Sequence, residues 1–103
     1  MTINVANVTT GGNIVYASTG NTAITYLALC NYSASNVTAN VFVVPSGQTP
    51  ANSNMLIKSL NIQANDTYFL YIAAEKLILG NGDSVQANVS ANTVTSTTSY
   101  TSI

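Results

Sequence analysis

Ionic side chains are nearly missing from this chain of 103 residues. Lys58, Asp66, Glu75, Lys76 and Asp83 are the full set, for a net charge of −1, and arginine, histidine and tryptophan do not occur. A soluble domain normally keeps about a quarter of its residues charged, which holds copies apart. The absences exclude whole classes of chemistry. Two lysines without arginine cannot neutralise a run of phosphates, so nucleic acid is not an expected partner. Without histidine, and with three scattered carboxylates, the usual acid–base and nucleophile–base pairs cannot be assembled. Transition metals prefer His and Cys, and Cys30 is the one such residue. A lone cysteine cannot close an internal disulfide either, so packing and hydrogen bonds must hold the fold. No apolar run approaches the ~20 residues of a membrane-crossing helix, and the first residues lack the basic and apolar regions of a secretory signal. The expectation is therefore a protein that is not an enzyme, without catalytic, cofactor-binding or metal residues and without a membrane. It is made in the cytoplasm and used there or carried out inside a larger particle.

What remains is a mixture of small apolar, β-branched, Ser, Thr and Asn residues, with an apolar fraction of 47%. That suffices for one core, so residues 1–103 are read as a single domain. β-Branched and aromatic residues alternate with polar ones, and turn residues punctuate them at short intervals. Strands are expected at 3–8, 13–17, 22–30, 37–44, 55–62, 67–73, 77–79, 84–91 and 93–103. Residues 31–36 read as a hairpin connection between the third and fourth, and 74–76 as a small connection. The stretch 47–54, with Pro50, reads as the longest loop. Strand 55–62 places Lys58 on its apolar side, which calls for a bulge or an edge position. With no convincing helix, the expected fold is an all-β sandwich of jelly-roll type with about eight short antiparallel strands; a flattened barrel is the near alternative.

The remaining polar residues have modest readings. Asp66 and Asp83 lie in turn sequences, where an Asp side chain bonds nearby backbone. Cys30, within Tyr26-Leu27-Ala28-Leu29-Cys30, reads as a small buried hydrophobe. Asn-x-Ser/Thr patterns at Asn7, Asn31, Asn36, Asn65 and Asn88 follow from composition rather than marking glycosylation. Six tyrosines are present, a residue type enriched at interfaces. Tyr32, at a loop tip, is the one expected to touch a partner.

Eight strands with so little charge have an edge problem. Monomeric proteins blunt exposed edges with lysine, proline or inward charge. Segments such as Val41-Phe42-Val43-Val44 and Tyr68-Phe69-Leu70-Tyr71-Ile72 would aggregate if uncovered. Coverage by copies of the same chain is the expected resolution, with a trimer as the first guess. The expected interface residues are Tyr32, Phe42, Lys58, Glu75 and Lys76.

Two stretches carry a family resemblance. Tyr26-Leu27-Ala28-Leu29-Cys30-Asn31-Tyr32-Ser33, followed by Val41-Phe42-Val43-Val44-Pro45-Ser46-Gly47, resembles small virion structural proteins of tailed bacteriophages, especially those of marine cyanobacteria. Asp66-Thr67-Tyr68 and Glu75-Lys76-Leu77-Ile78-Leu79-Gly80-Asn81-Gly82-Asp83-Ser84-Val85 are similar to a recurrent ending of phage β-sandwich modules. The resemblance implies an all-β virion component, assembled in the host cytoplasm, that self-associates and docks on the major capsid protein or other virion structural proteins. A capsid decoration (cement) protein is the first expectation. A tail, neck, baseplate or fibre component is the second. A carbohydrate-binding host-adhesion module using Tyr32 and the 47–54 loop is the third.

Overall fold

The computed structural model describes the backbone of residues 2–103 and the side chains of all of these except 71–76. Eight strands follow in order: β1 (Thr2–Val8), β2 (Asn13–Ala17), β3 (Thr22–Asn31), β4 (Val37–Val44), β5 (Met55–Ile62), β6 (Asp66–Leu79), β7 (Ser84–Val89) and β8 (Val94–Ser102). One 3-10 turn, Asn52–Asn54, precedes β5. The expected boundaries of the second, fourth and fifth strands are met to the residue. Strands expected at 67–73 and 77–79 are one element, β6, rather than two.

The strands form two four-stranded sheets, ordered β1-β8-β3-β6 (sheet A) and β2-β7-β4-β5 (sheet B). Every pairing is antiparallel. This order is what results when one long hairpin, with β4 and β5 nearest its tip, is rolled so that β1–β8 and β3–β6 fall in one sheet and β2–β7 and β4–β5 in the other. It is an all-β sandwich with jelly-roll topology. The connection at 31–36 is corrected accordingly. It joins β3 in sheet A to β4 in sheet B, so it crosses between layers and is not a hairpin. Its polar residues identify a turn, but turn chemistry is local and cannot choose the strand's hydrogen-bonding partner.

Between the layers lies one core. Ile24, Leu27 and Leu29 of β3 and Val94 of β8 face Val37, Ala39 and Val41 of β4 and Val85, Ala87 and Val89 of β7. Alternation puts these residues inside and their neighbours outside. Where alternation fails, the strands bulge. The register of β3 with both neighbours shifts between Ile24 and Tyr26; against β6 it jumps from Tyr26↔Ile72 to Ile24↔Leu77. Two steps on β3 thus match five on β6, at the stretch expected to be a connection. On β5 the register passes from Ala39↔Leu60 to Val41↔Ile57. The extra residue is accommodated by Ser59 at φ 55°, and its N–H donates to Asn40 Oδ1 at 2.8 Å. The bulge turns Lys58 to solvent while Ile57 and Leu60 pack against the core. Lys58 therefore has both features its misfit calls for, since β5 is also an edge strand.

The core is unusually polar along β8. Ser96 and Thr98 are buried there beside Val94. Ser96 Oγ donates to the Ala6 carbonyl at 3.4 Å, whereas Thr98 Oγ1 finds no partner among the described residues. Such a hydroxyl costs stability relative to an apolar group of the same shape.

Loops alternate between the two ends of the sandwich, and each end has its own tie. At one end Asn31, fully buried, directs its amide NH2 at the carbonyls of Ser35, Ile62 and Gln63 at 2.8, 3.1 and 3.2 Å. Its Oδ1 accepts from Ser33 N–H and Thr93 Oγ1. One side chain thereby joins three interstrand connections. At the other end Asp83 accepts from the N–H of Ser46 and of Gly80, each at 2.9 Å. That is the turn role expected of it. Gly82 is required beside it: φ is +86°, and a Cβ there would lie 2.5 Å from Ser46 Oγ.

Candidate interaction surface

Residues directly opposite on neighbouring strands share a face, so the register defines what each sheet shows to solvent. Across the outer side of sheet A run Val5, Thr97, Ala28 and Phe69 in one row. Asn7, Thr95, Cys30 and Thr67 form the next, and Ile3, Ser99 and Tyr26 flank the first row on its other side. Ile78, paired with Ala23, continues the face toward the end of β6. Ile3, Val5, Phe69 and Ile78 are 68%, 67%, 48% and 58% exposed. Tyr26 sets its ring edge against Phe69 with centroids 5.9 Å apart. None of these residues is ionic, and Ser and Thr occupy the middle strand β8. Among the described residues the result is an uncharged, partly apolar surface, of the kind that marks contact sites when contiguous.

Sheet B treats its outer side differently. Phe42 projects outward, opposite Gln86 and Met55, yet is only 6% exposed. The connection 45–54 contributes the cover: Pro50 and Phe42 line a common cleft. That connection is held in shape by Asn54, whose Oδ1 accepts from Ala51 N–H at 3.0 Å and whose Nδ2 donates to the Thr49 carbonyl at 2.9 Å. Phe42 is therefore corrected as an interface residue, because the chain's own loop has claimed it. The Val41-Phe42-Val43-Val44 segment likewise needs no external cover. β4 lies inside sheet B, between β7 and β5. The Tyr68–Ile72 stretch is on β6, an edge of sheet A.

The other expected contact residues do not converge. Tyr32 is exposed at the Asn31 end, with its hydroxyl 3.2 Å from both Asn7 Oδ1 and the Asn92 carbonyl. Lys58 is exposed on β5, at the edge of the opposite sheet. Glu75 and Lys76 lie outside the residues whose side chains are described. Cys30, expected inside, instead points out from sheet A and is partly exposed. Residue-by-residue reading misses Ile3, Val5 and Phe69 as a group. Their common phase is legible, but their juxtaposition depends on β1 and β6 both belonging to the sheet of β3 and β8. Asn31 cannot carry a glycan in the folded chain, since it is buried.

Comparison with protein families, with curated proteins and with solved structures returns no match for this chain.

Proposed function

We propose that this chain is a non-enzymatic structural protein of a tailed-bacteriophage virion, a capsid decoration protein that packs against its own copies and against capsid subunits. The observation that carries the reading is the outer side of sheet A, where Ile3, Val5, Phe69 and Ile78 are left uncovered and no ionic side chain lies beside them among the described residues. The sequence resemblance supplies the setting.

Magnitudes are compatible with a many-copy assembly. Covering four side chains that are half to two-thirds exposed removes roughly 400 Å² from water, worth about 10 kcal/mol at the usual area coefficient. Association costs about 4–15 kcal/mol. A single contact through this face is therefore marginal. On a particle, each copy can make several contacts at once, and effective concentration turns weak pairwise contacts into lasting ones. A trimer is the first stoichiometry to test.

The experiment adds purified protein to capsids lacking it and counts bound copies per particle. Saturation at hundreds of copies, with raised resistance of the head to heat, is the expected result. Saturation at a handful points to a tail, neck, baseplate or fibre position. No binding contradicts the virion reading.

A further inference from the structure

We infer that the cleft on the outer side of sheet B binds a single uncharged, hydroxyl-bearing ring of the size of a monosaccharide. This site is independent of the assembly reading, and it uses neither Tyr32 nor the surface of sheet A.

The cleft measures about 230 Å³. Phe42 and Pro50 supply its apolar side. Gln86 and Asn88, with the backbone of the Gly11-Gly12 turn, supply the polar one, while Asn13 lines it with an amide already bonded to Thr9 and Asn7. The described lining holds no ionic side chain, so it offers a phosphate or carboxylate no counter-charge and favours hydroxyl and amide chemistry. Such a mixture of apolar floor and few oriented polar groups is how small-molecule sites fix a ligand.

The orientation of Asn88 is determined by its surroundings. At the β5 bulge, Ser59 N–H can only donate, so the atom of Asn40 that meets it must be the carbonyl oxygen, at 2.8 Å. Asn40 then presents its NH2 to Asn88, and Asn88 must answer with Oδ1, also at 2.8 Å. Asn88 Nδ2 is left as a donor with no partner among the described residues. Gln86 donates Nε2 to Ser84 Oγ at 3.1 Å, and its carbonyl oxygen has no partner among the described residues. A fixed donor and an acceptor two residues apart on one face of β7, beside an aromatic ring, suit a pair of hydroxyls on a ring whose C–H face rests on Phe42 and Pro50. Gly12 suits the rim by its backbone: its φ is +87°, whereas a Cβ there would make only an ordinary 3.5 Å contact with that of Asn88.

The test is a titration of the 15N-labelled chain with D-glucose, D-galactose and N-acetyl-D-glucosamine, each to about 50 mM, a range suited to the weak affinity of so small a ligand. At least one sugar is expected to shift the amides of Gly11, Gly12, Gln86 and Asn88 in a saturable way. Asn88→Leu and Gln86→Leu, made separately so that one survives a folding failure of the other, are each expected to weaken binding about fivefold or more. Asn40→Ala, outside the lining, is expected to weaken it by a smaller factor by freeing Asn88 to rotate. Methyl glycosides mimic a chain-terminal residue; their binding supports the site with a glycan end as its source, and binding of the free sugars alone supports it with a free monosaccharide. Tighter binding of glucose 6-phosphate than of glucose overturns the inference. So does the absence of saturable shifts, or shifts that both leucine variants leave unchanged.

Discussion

The two outer sides of the sandwich solve one problem in opposite ways. Each sheet turns an aromatic residue outward, Phe42 from sheet B and Phe69 from sheet A. Phe42 is nearly buried beside the 45–54 connection, which its own asparagine braces, and shows only what faces the cleft it shares with Pro50. Phe69 stays half exposed, in line with Val5 and near Ile3 and Ile78. Composition does not separate the two sides, since both are poor in charge and rich in Ser, Thr and Asn. What separates them is loop length: the connection after β4 is long enough to fold back over its sheet. The lid leaves Ile14, in the same row of sheet B, 51% exposed. Sheet A has no lid, and its row leaves Val5 and Phe69 open to solvent.

The largest effect expected removes the frame that both sides share. Asn31→Ala leaves carbonyls and N–H groups of three connections unpaired in a buried site, and is expected to cost about 3–5 kcal/mol in a denaturant titration. A loss below about 1 kcal/mol shows that those groups find water. Next comes the direct contrast. Phe42→Ala is expected to destabilise the chain by about 3 kcal/mol, as for a buried aromatic, whereas Phe69→Ala costs about 1 kcal/mol or less. Equal losses erase the distinction between the sides. A double change of Ile3→Lys with Val5→Lys leaves the melting temperature nearly unchanged. In sedimentation it weakens self-association at least about tenfold, because each lysine must lose water to enter a neutral contact. The smallest effect is a gain: Thr98→Val replaces an unpaired buried hydroxyl by a methyl and is expected to stabilise by about 1 kcal/mol.

Much of the architecture is legible in the chain because strand phase and turn residues are local properties. Residues 13–17, 37–44 and 55–62 are bounded by their punctuation. Lys58, out of place on an apolar phase, marks the β5 bulge by itself. Non-local choices are not legible. Nothing in Asn31-Tyr32-Ser33 tells whether the next strand pairs with β3 or crosses to the other layer. Asn31 reads as the first residue of a loop, since an amide that serves three distant connections has no pattern in the chain. Phe42 reads as a contact residue for the same reason: its lid comes from Pro50, whose place over sheet B is a matter of tertiary folding. Val5 and Phe69 share an exposed row from opposite ends of a four-strand order that alternation cannot supply.

We propose that the outer side of sheet A is built for contact with other copies. Sedimentation equilibrium of the purified chain across micromolar to millimolar concentrations tests it most directly. Reversible, concentration-dependent association that disappears in the Ile3→Lys, Val5→Lys variant is the predicted result. A single monomeric mass across the whole range contradicts it.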